Sequence, residues 1–232
     1  MTIDVLADAD AVARKAASLV AAESRDAVRA RGRFVMAVSG GRTPWAMLRA
    51  LADQDVPWSR VLVVQVDERI APSGHPDRNL THLQESLLGR APLRAEQIRA
   101  MPVEDSDPES AAVRYAEGLV ELAGSPVVLD LVHLGLGPDG HTASLIPGDD
   151  VLEVRDADVA ITGVYQGRRR MTLTYPVIDR ARRVLWVVTG SDKAEMLARL
   201  RDADPSIPAG RVGQAHATVL ADSAAAARLG AQ

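Results

Sequence analysis

The sequence predicts an α/β fold, a mainly parallel sheet with helices on both faces, formed as a single domain over residues 1–232. Three observations predict it. Short β-branched apolar runs alternate with segments of helical periodicity, the pattern of a parallel sheet covered on both sides. Each polar cluster of interest directly follows an apolar run, which is where such sheets bind ligands, beyond the carboxyl ends of their strands. The chain is 47% hydrophobic and 25% charged over 232 residues, ample material for a core.

The elements follow in order. Asp8 to Arg31 reads as a helix, with Val12, Ala16, Leu19 and Ala27 near one face and Gly32 placed to end it. "RFVMAVSGG" is a buried strand ending in glycines. Thr43 can cap the next helix, Pro44 suits its first position, and Trp45, Leu48 and Leu51 point inward along Pro44 to Ala52. "RVLVVQVDE" is a second strand. "PDRNLTHLQESLLG" is helical, through Leu80, Leu83, Leu87 and Leu88, and Gly89 terminates it. A further helix has Pro108 near its start and Gly124 after its end. "PVVLDLVHLGLG" is a third strand, and "DVAITGVYQGRRRMTLTYPVI" is two strands around a turn. "RRVLWVVTGSDKAEMLARL" is strand, loop and helix. "HATVLAD" is a last strand before an alanine-rich terminal helix.

Composition excludes several classes of function. Net charge is −4 and the pI about 5.7, so no global basic field draws nucleic acid. With no cysteine there is no disulfide, thiolate metal site or cysteine nucleophile. Spaced histidine ligands are absent, so no metal is implied, and no Gly-x-Ser-x-Gly elbow appears. The N-terminus shows no secretory pattern, and there is no run of about 18 apolar residues. A cytoplasmic protein without a membrane partner is expected, a monomer or small homo-oligomer.

Three clusters carry chemistry. In "VSGGRTPWAML" a strand meets a helix through Ser39, Gly40, Gly41, Arg42 and Thr43. The glycines let backbone approach a ligand closely, and the free amides at the helix start form a phosphate cradle. The same turn also serves as a plain tight strand–helix junction. In "VDERIAPSGHPDRNL", Asp67 and Glu68 are carboxylates at a strand end, and Arg69 can pair with a phosphate bidentately. In "GLGPDGHTASL", three glycines, a proline, Asp139 and His141 fall within seven residues after a strand. A histidine there can act as general base or acid, and Asp139 is one candidate to orient it. Arg168, Arg169 and Arg170 run into a strand, and alternation sends Arg168 and Arg170 to one side and Arg169 to the other. Lys193 opens a helix and offers a point charge for phosphate. His133, inside its strand, reads as a satisfied core histidine.

Together "SGGRTP", "VDER…HPDRNL", "GLGPDGHTASLIPG", "RRRMTLT" and "GSDKAEML" resemble the 6-phosphogluconolactonase family, in the family's order and over nearly the whole chain. The resemblance implies a Rossmann-like α/β fold shared with glucosamine-6-phosphate deaminases. It implies hydrolysis of a sugar-phosphate lactone, 6-phospho-D-glucono-1,5-lactone, to 6-phosphogluconate in the oxidative pentose phosphate pathway, with no metal or organic cofactor. It places the catalytic histidine at His141, with Asp139 and Asp67 as the two carboxylates able to support it. Phosphate and sugar contacts fall on Ser39, Gly40, Gly41, Arg69, Arg170 and Lys193, with Asp67 and Asn79 near the sugar. Arg42 and Arg78 stand where the family commonly has smaller residues, and either could alter phosphate affinity.

Two other readings compete. A glucosamine-6-phosphate deaminase or aldose–ketose isomerase shares the Asp-Gly-His loop but carries Glu where Ile146 stands here, and Asp-Glu-Tyr where this chain has Asp67-Glu68-Arg69. A sugar-phosphate sensor of a transcription regulator would carry a DNA-binding helix-turn-helix, and only one helix without basic bias precedes the first strand of this reading.

Overall fold

The structure, a computed structural model, describes residues 1–230. Its centre is a seven-stranded sheet of β1 (Thr2–Leu6), β2 (Phe34–Val38), β3 (Val61–Gln65), β5 (Ile98–Arg99), β6 (Leu131–Leu134), β9 (Val184–Val188) and β10 (Ala217–Asp222). The order is β1-β10-β9-β6-β2-β3-β5, and every pair is parallel. A second, antiparallel sheet has the order β4 (Asp67–Arg69), β8 (Arg170–Leu173), β7 (Val159–Ile161). The helices are α1 (Ala9–Arg31), α2 (Arg42–Ala52), α3 (Asn79–Leu83), α4 (Pro108–Ala123), α5 (Tyr175–Asp179) and α6 (Ala194–Arg201).

Strand β2 shows why the sheet is covered on both faces. All five of its residues are buried. Phe34, Met36 and Val38 join one apolar cluster, with Val12, Ala16 and Val20 of α1 and Met47, Leu48 and Leu51 of α2. Val35 and Ala37 join the other, with Tyr115 and Leu119 of α4 and Leu197 of α6. Each fully buried aliphatic or aromatic side chain contributes about 1.5–3 kcal/mol. No single-faced pattern would put all five residues under cover.

The chain reverses direction across the sheet between β2 and β6. From β2 it builds outward through β3 and β5, then returns to the other side of β2 with β6, β9 and β10. This is a topological switch point, where the loops leaving two neighbouring strands part and open a crevice. The loop after β2 begins at Ser39 and the loop after β6 at Gly135.

Several sequence expectations are corrected. The edge strand β1 precedes the first predicted helix; its residues are mostly exposed, so no buried run marks it. The "VDE" segment does not finish a single strand. Val66 donates to Val38 C=O at 3.0 Å and accepts from Leu173 at 2.8 Å, so it hands the chain from the large sheet to the small one. Helix α2 starts at Arg42, with Gly41 as its cap residue. Thr43 caps nothing, because its hydroxyl pairs with that of Thr189. Trp45 is only half-buried and stacks on His82, ring centroids 4.1 Å apart. The helix expected through Leu88 is α-helical only to Leu83 and widens into a π-turn over Gln84–Leu88. The alanine-rich terminal helix is a single 3₁₀ turn, Ala225–Arg228.

Candidate active site

A cavity of about 230 Å³ opens at the switch point. Ser39, Gly40 and Gly41 come from the loop after β2, and Gly135, Gly137, Pro138 and His141 from the loop after β6. Asp67 and Arg69 come from β4, Arg170 from β8, Asn79 from the start of α3 and Lys193 from the turn before α6. The small sheet therefore walls the crevice that the large sheet opens. A wider cavity of about 570 Å³ continues from it, sharing Gly40, Gly41, Gly135, Leu136 and Lys193. Arg42 and Thr43, expected among the phosphate contacts, line that second chamber and not the one holding His141. A third cavity, about 640 Å³, lies at the opposite end of the sheet around Arg31, Arg33, Arg60 and Arg182. Its walls include Asp130, which pairs with Arg31 at 2.7 Å and with Arg182 at 3.6 Å.

His141 is held by its own loop. Asp139 Oδ1 accepts from the His141 backbone N–H at 3.1 Å and lies 2.5 Å from Nδ1. An ionised carboxylate has no proton to donate, so Nδ1 carries the hydrogen and Nε2 is the nitrogen left for chemistry. The loop closes through Gly137 N–H to His141 C=O at 2.8 Å and Thr142 Oγ1 to Gly135 C=O at 2.9 Å. Gly137 is required here, because a Cβ on it would lie 2.2 Å from His141 Nδ1. Burial alone would raise the Asp139 pKa, but the neighbouring His141 charge and hydrogen bonds from His141 and Tyr165 hold it below the ordinary carboxylate value.

Asp67 does not reach His141. Its Oδ2 accepts from Ser144 Oγ at 2.7 Å and its Oδ1 from Asn79 Nδ2 at 3.2 Å. Ser144 is fully buried and was not singled out from the sequence; only its contact across 77 residues reveals it. Asn79 Oδ1 accepts from Arg69 Nη1 at 2.6 Å, and a Cβ on Gly40 would lie 1.9 Å from that same oxygen. So Gly40, Asn79 and Arg69 pack as one unit.

Glu68 is structural. It is fully buried and accepts from the N–H groups of Arg69, Asn79 and Leu80, each at 2.8 Å, and from Gln65 Nε2 at 2.9 Å. It thereby ties the start of α3 to β4. Arg78, expected as a possible modifier of phosphate affinity, is buried behind this wall and forms ion pairs with Glu68 and Glu104 at 3.3 and 2.6 Å.

The arginine triplet divides cleanly. Arg168 pairs with Asp77 at 2.9 Å, Arg169 pairs with Glu109, and only Arg170 enters the cavity, 4% exposed. Burial, then the like charge of Arg69, lowers the Arg170 pKa. Ser39 Oγ, Arg69 Nε and Arg170 Nε are buried and have no hydrogen-bond partner within the protein. Unpaired buried donors are costly, and the three residues that carry these line this one cavity. With Lys193 they form a cationic wall suited to an anion. His133, expected as a satisfied core histidine, is only half so: Nδ1 accepts from Ser39 N–H at 3.3 Å, while Nε2 has no partner.

Over residues 7–221 the chain matches the family of glucosamine-6-phosphate isomerases and 6-phosphogluconolactonases. It belongs to that family. A 6-phosphogluconolactonase of Nostoc sp. is 37% identical over 203 residues, covering 86% of this chain and 84% of that protein. The crystal structure of a 6-phosphogluconolactonase from Thermotoga maritima superimposes with a TM-score of 0.83 at 25% identity, covering 95% of this chain and 98% of that one. A monomeric glucosamine-6-phosphate deaminase superimposes with a TM-score of 0.84 at 18% identity, covering 98% and 100%, and so shares the fold. Family membership thus leaves two chemistries, which residues inside the cavity must separate. Among the described residues no helix is long and apolar enough to cross a membrane, and no group of three or more potential ligands is placed to hold a metal ion.

Proposed function

We infer that this chain hydrolyses 6-phospho-D-glucono-1,5-lactone to 6-phosphogluconate, the lactone-opening step of the oxidative pentose phosphate pathway. The observation that carries the reading is the Asp139–His141 pair at a cavity whose other wall holds the unpaired buried donors of Arg69, Arg170 and Ser39. The relatives named 6-phosphogluconolactonase support the same substrate.

A δ-lactone is an activated ester, so the enzyme needs little beyond a placed water, a base and an acid. His141 Nε2 takes a proton from water as its oxygen attacks C1. The tetrahedral intermediate collapses, the bond from C1 to the ring oxygen breaks, and the imidazolium returns its proton to that oxygen. Asp139 keeps its charge throughout and stabilises the imidazolium. Arg69, Arg170, Lys193 and Ser39 hold the phosphate, and this remote binding energy orients C1 over the histidine.

Deamination is the second chemistry the fold allows. It requires abstraction of a carbon-bound proton, ring opening and loss of ammonia, hence more acid–base groups in one pocket. Ile146 stands where the resemblance places a deaminase glutamate; it is buried, apolar and absent from the cavity wall. Freshly generated 6-phosphogluconolactone should be consumed well above its spontaneous rate, and glucosamine 6-phosphate should release no ammonia. The opposite pair of results would reverse the reading and leave the fold untouched.

A further inference from the structure

We propose that Tyr165 is a positioning residue of this site, its hydroxyl fixing the second oxygen of the Asp139 carboxylate and, through it, the orientation of the His141 imidazole. The proposal builds on the lactone-hydrolysis reading of the same cavity.

Asp139 Oδ1 makes both bonds to His141. A carboxylate anchored through one oxygen can still swing about its Cβ–Cγ bond. Tyr165 closes that freedom by donating to Oδ2 at 3.0 Å. No other hydrogen bond competes for the hydroxyl among the described residues. The ring serves two further neighbours. The Arg170 guanidinium carbon lies 5.0 Å from its centroid, over the face, while the His141 ring meets it at 5.7 Å and 65°. A cation over the electron-rich face and an imidazole in edge geometry are both favourable placements. One side chain therefore joins the acid–base pair to a cation that faces the substrate.

Local structure explains how Tyr165 comes to be there. Tyr165 and Arg168 exchange backbone hydrogen bonds at 2.9 and 3.2 Å, closing a two-residue turn. The central residues Gln166 and Gly167 have φ of 51° and 80°, the pattern of a hairpin that continues the twist of its strands. Gln166 Oε1 accepts from Arg170 at 3.2 Å, so the turn is pinned to the cavity from its tip as well. Tyr165 belongs to neither apolar core, so packing does not account for its place.

The charged groups around the pair are few. Arg170 faces it from β8, and Asp67, Arg69 and Lys193 line the same cavity from β4 and from the turn before α6. Burial, then the hydrogen bond to Asp139, raises the Tyr165 pKa, so the proton stays on the phenol and the charge on the carboxylate.

Tyr165→Phe keeps the ring and removes only the hydroxyl. Its kcat should fall about 3–30-fold with KM within about twofold, since the lost bond acts on the base and not on the substrate. The deficit should widen only as pH falls into the ordinary carboxylate range, because Asp139 loses one of the donors that hold its pKa below that range. The His141 Nδ1 proton resonance should also shift, an NMR readout that needs no substrate. Wild-type kcat at every pH overturns the proposal, as does a raised KM with unchanged kcat. A pH-independent loss accompanied by a lowered Tm would make Tyr165 merely structural and overturns it too. If the wild type itself fails on the lactone, the functional reading falls, and the NMR comparison still decides the role of Tyr165.

Discussion

Asp139 Oδ1 lies 2.5 Å from His141 Nδ1, whereas Asp67, the other carboxylate the family resemblance offered to the histidine, is bound to Ser144 and Asn79. The two aspartates therefore differ in what they control. His141→Ala should lower kcat by roughly 10²–10⁴ while leaving product affinity within a few-fold. Asp139→Asn should show the same signature to a smaller degree, about 10–10³, because an amide cannot stabilise the imidazolium. Asp67→Asn leaves the pair intact and should cost kcat less than Asp139→Asn. Steady-state kinetics on the three variants checks the order, and equal losses at both aspartates would contradict it.

Gly137 separates activity from stability. Its substitution by alanine puts a methyl group 2.2 Å from His141 Nδ1, and the flexible partner in that clash is the imidazole. Gly137→Ala should lose kcat as severely as His141→Ala, with a much smaller change in thermal midpoint. Near-normal turnover would show that the loop holds His141 elsewhere during catalysis.

The cationic wall should read phosphate. Arg69→Ala and Lys193→Ala each remove a charge-assisted contact of about 1.5–3 kcal/mol, and the loss should appear mainly in KM. For an unphosphorylated lactone both variants should resemble the wild type. The same factor lost on both substrates would mean that these side chains shape the cavity and not its affinity for anions.

His133 links stability to pH. Burial drives its pKa from 6.5 down to about 3, so it stays neutral in the folded protein while the unfolded chain takes up a proton below 6.5. Its contribution is therefore intact above pH 6.5 and is lost as pH falls toward 3, at a slope approaching about 1.4 kcal/mol per pH unit. His133→Asn keeps an acceptor for Ser39 N–H but does not titrate. Urea midpoints across the acid range should fall less steeply for the variant than for the wild type, and parallel curves would remove His133 as the cause.

The parallel sheet, its double cover of helices and the loops that carry chemistry are legible in the residues alone. Those features are local. A run such as "RFVMAV" must be buried on both faces whatever lies beside it, and a glycine-framed Asp-Gly-His segment brings its own hydrogen bonds. The resemblance to a sugar-phosphate lactonase family rested on the same short segments, and the family match spans them all.

Which groups meet depends on long-range packing. Asp67 and Ser144 are 77 residues apart, Asp139 and Tyr165 are 26, and neither pairing leaves a periodic trace. Arg168, Arg169 and Arg170 are chemically identical, and the antiparallel register of β4 with β8, Arg69 opposite Arg170, sets one of them into the cavity. The small sheet itself escaped the sequence because Val66 changes hydrogen-bond partners within what reads as one continuous strand. Periodicity reports which side chains are covered; which backbones lie adjacent is fixed by the packing of the whole chain, and the site is assembled at that level.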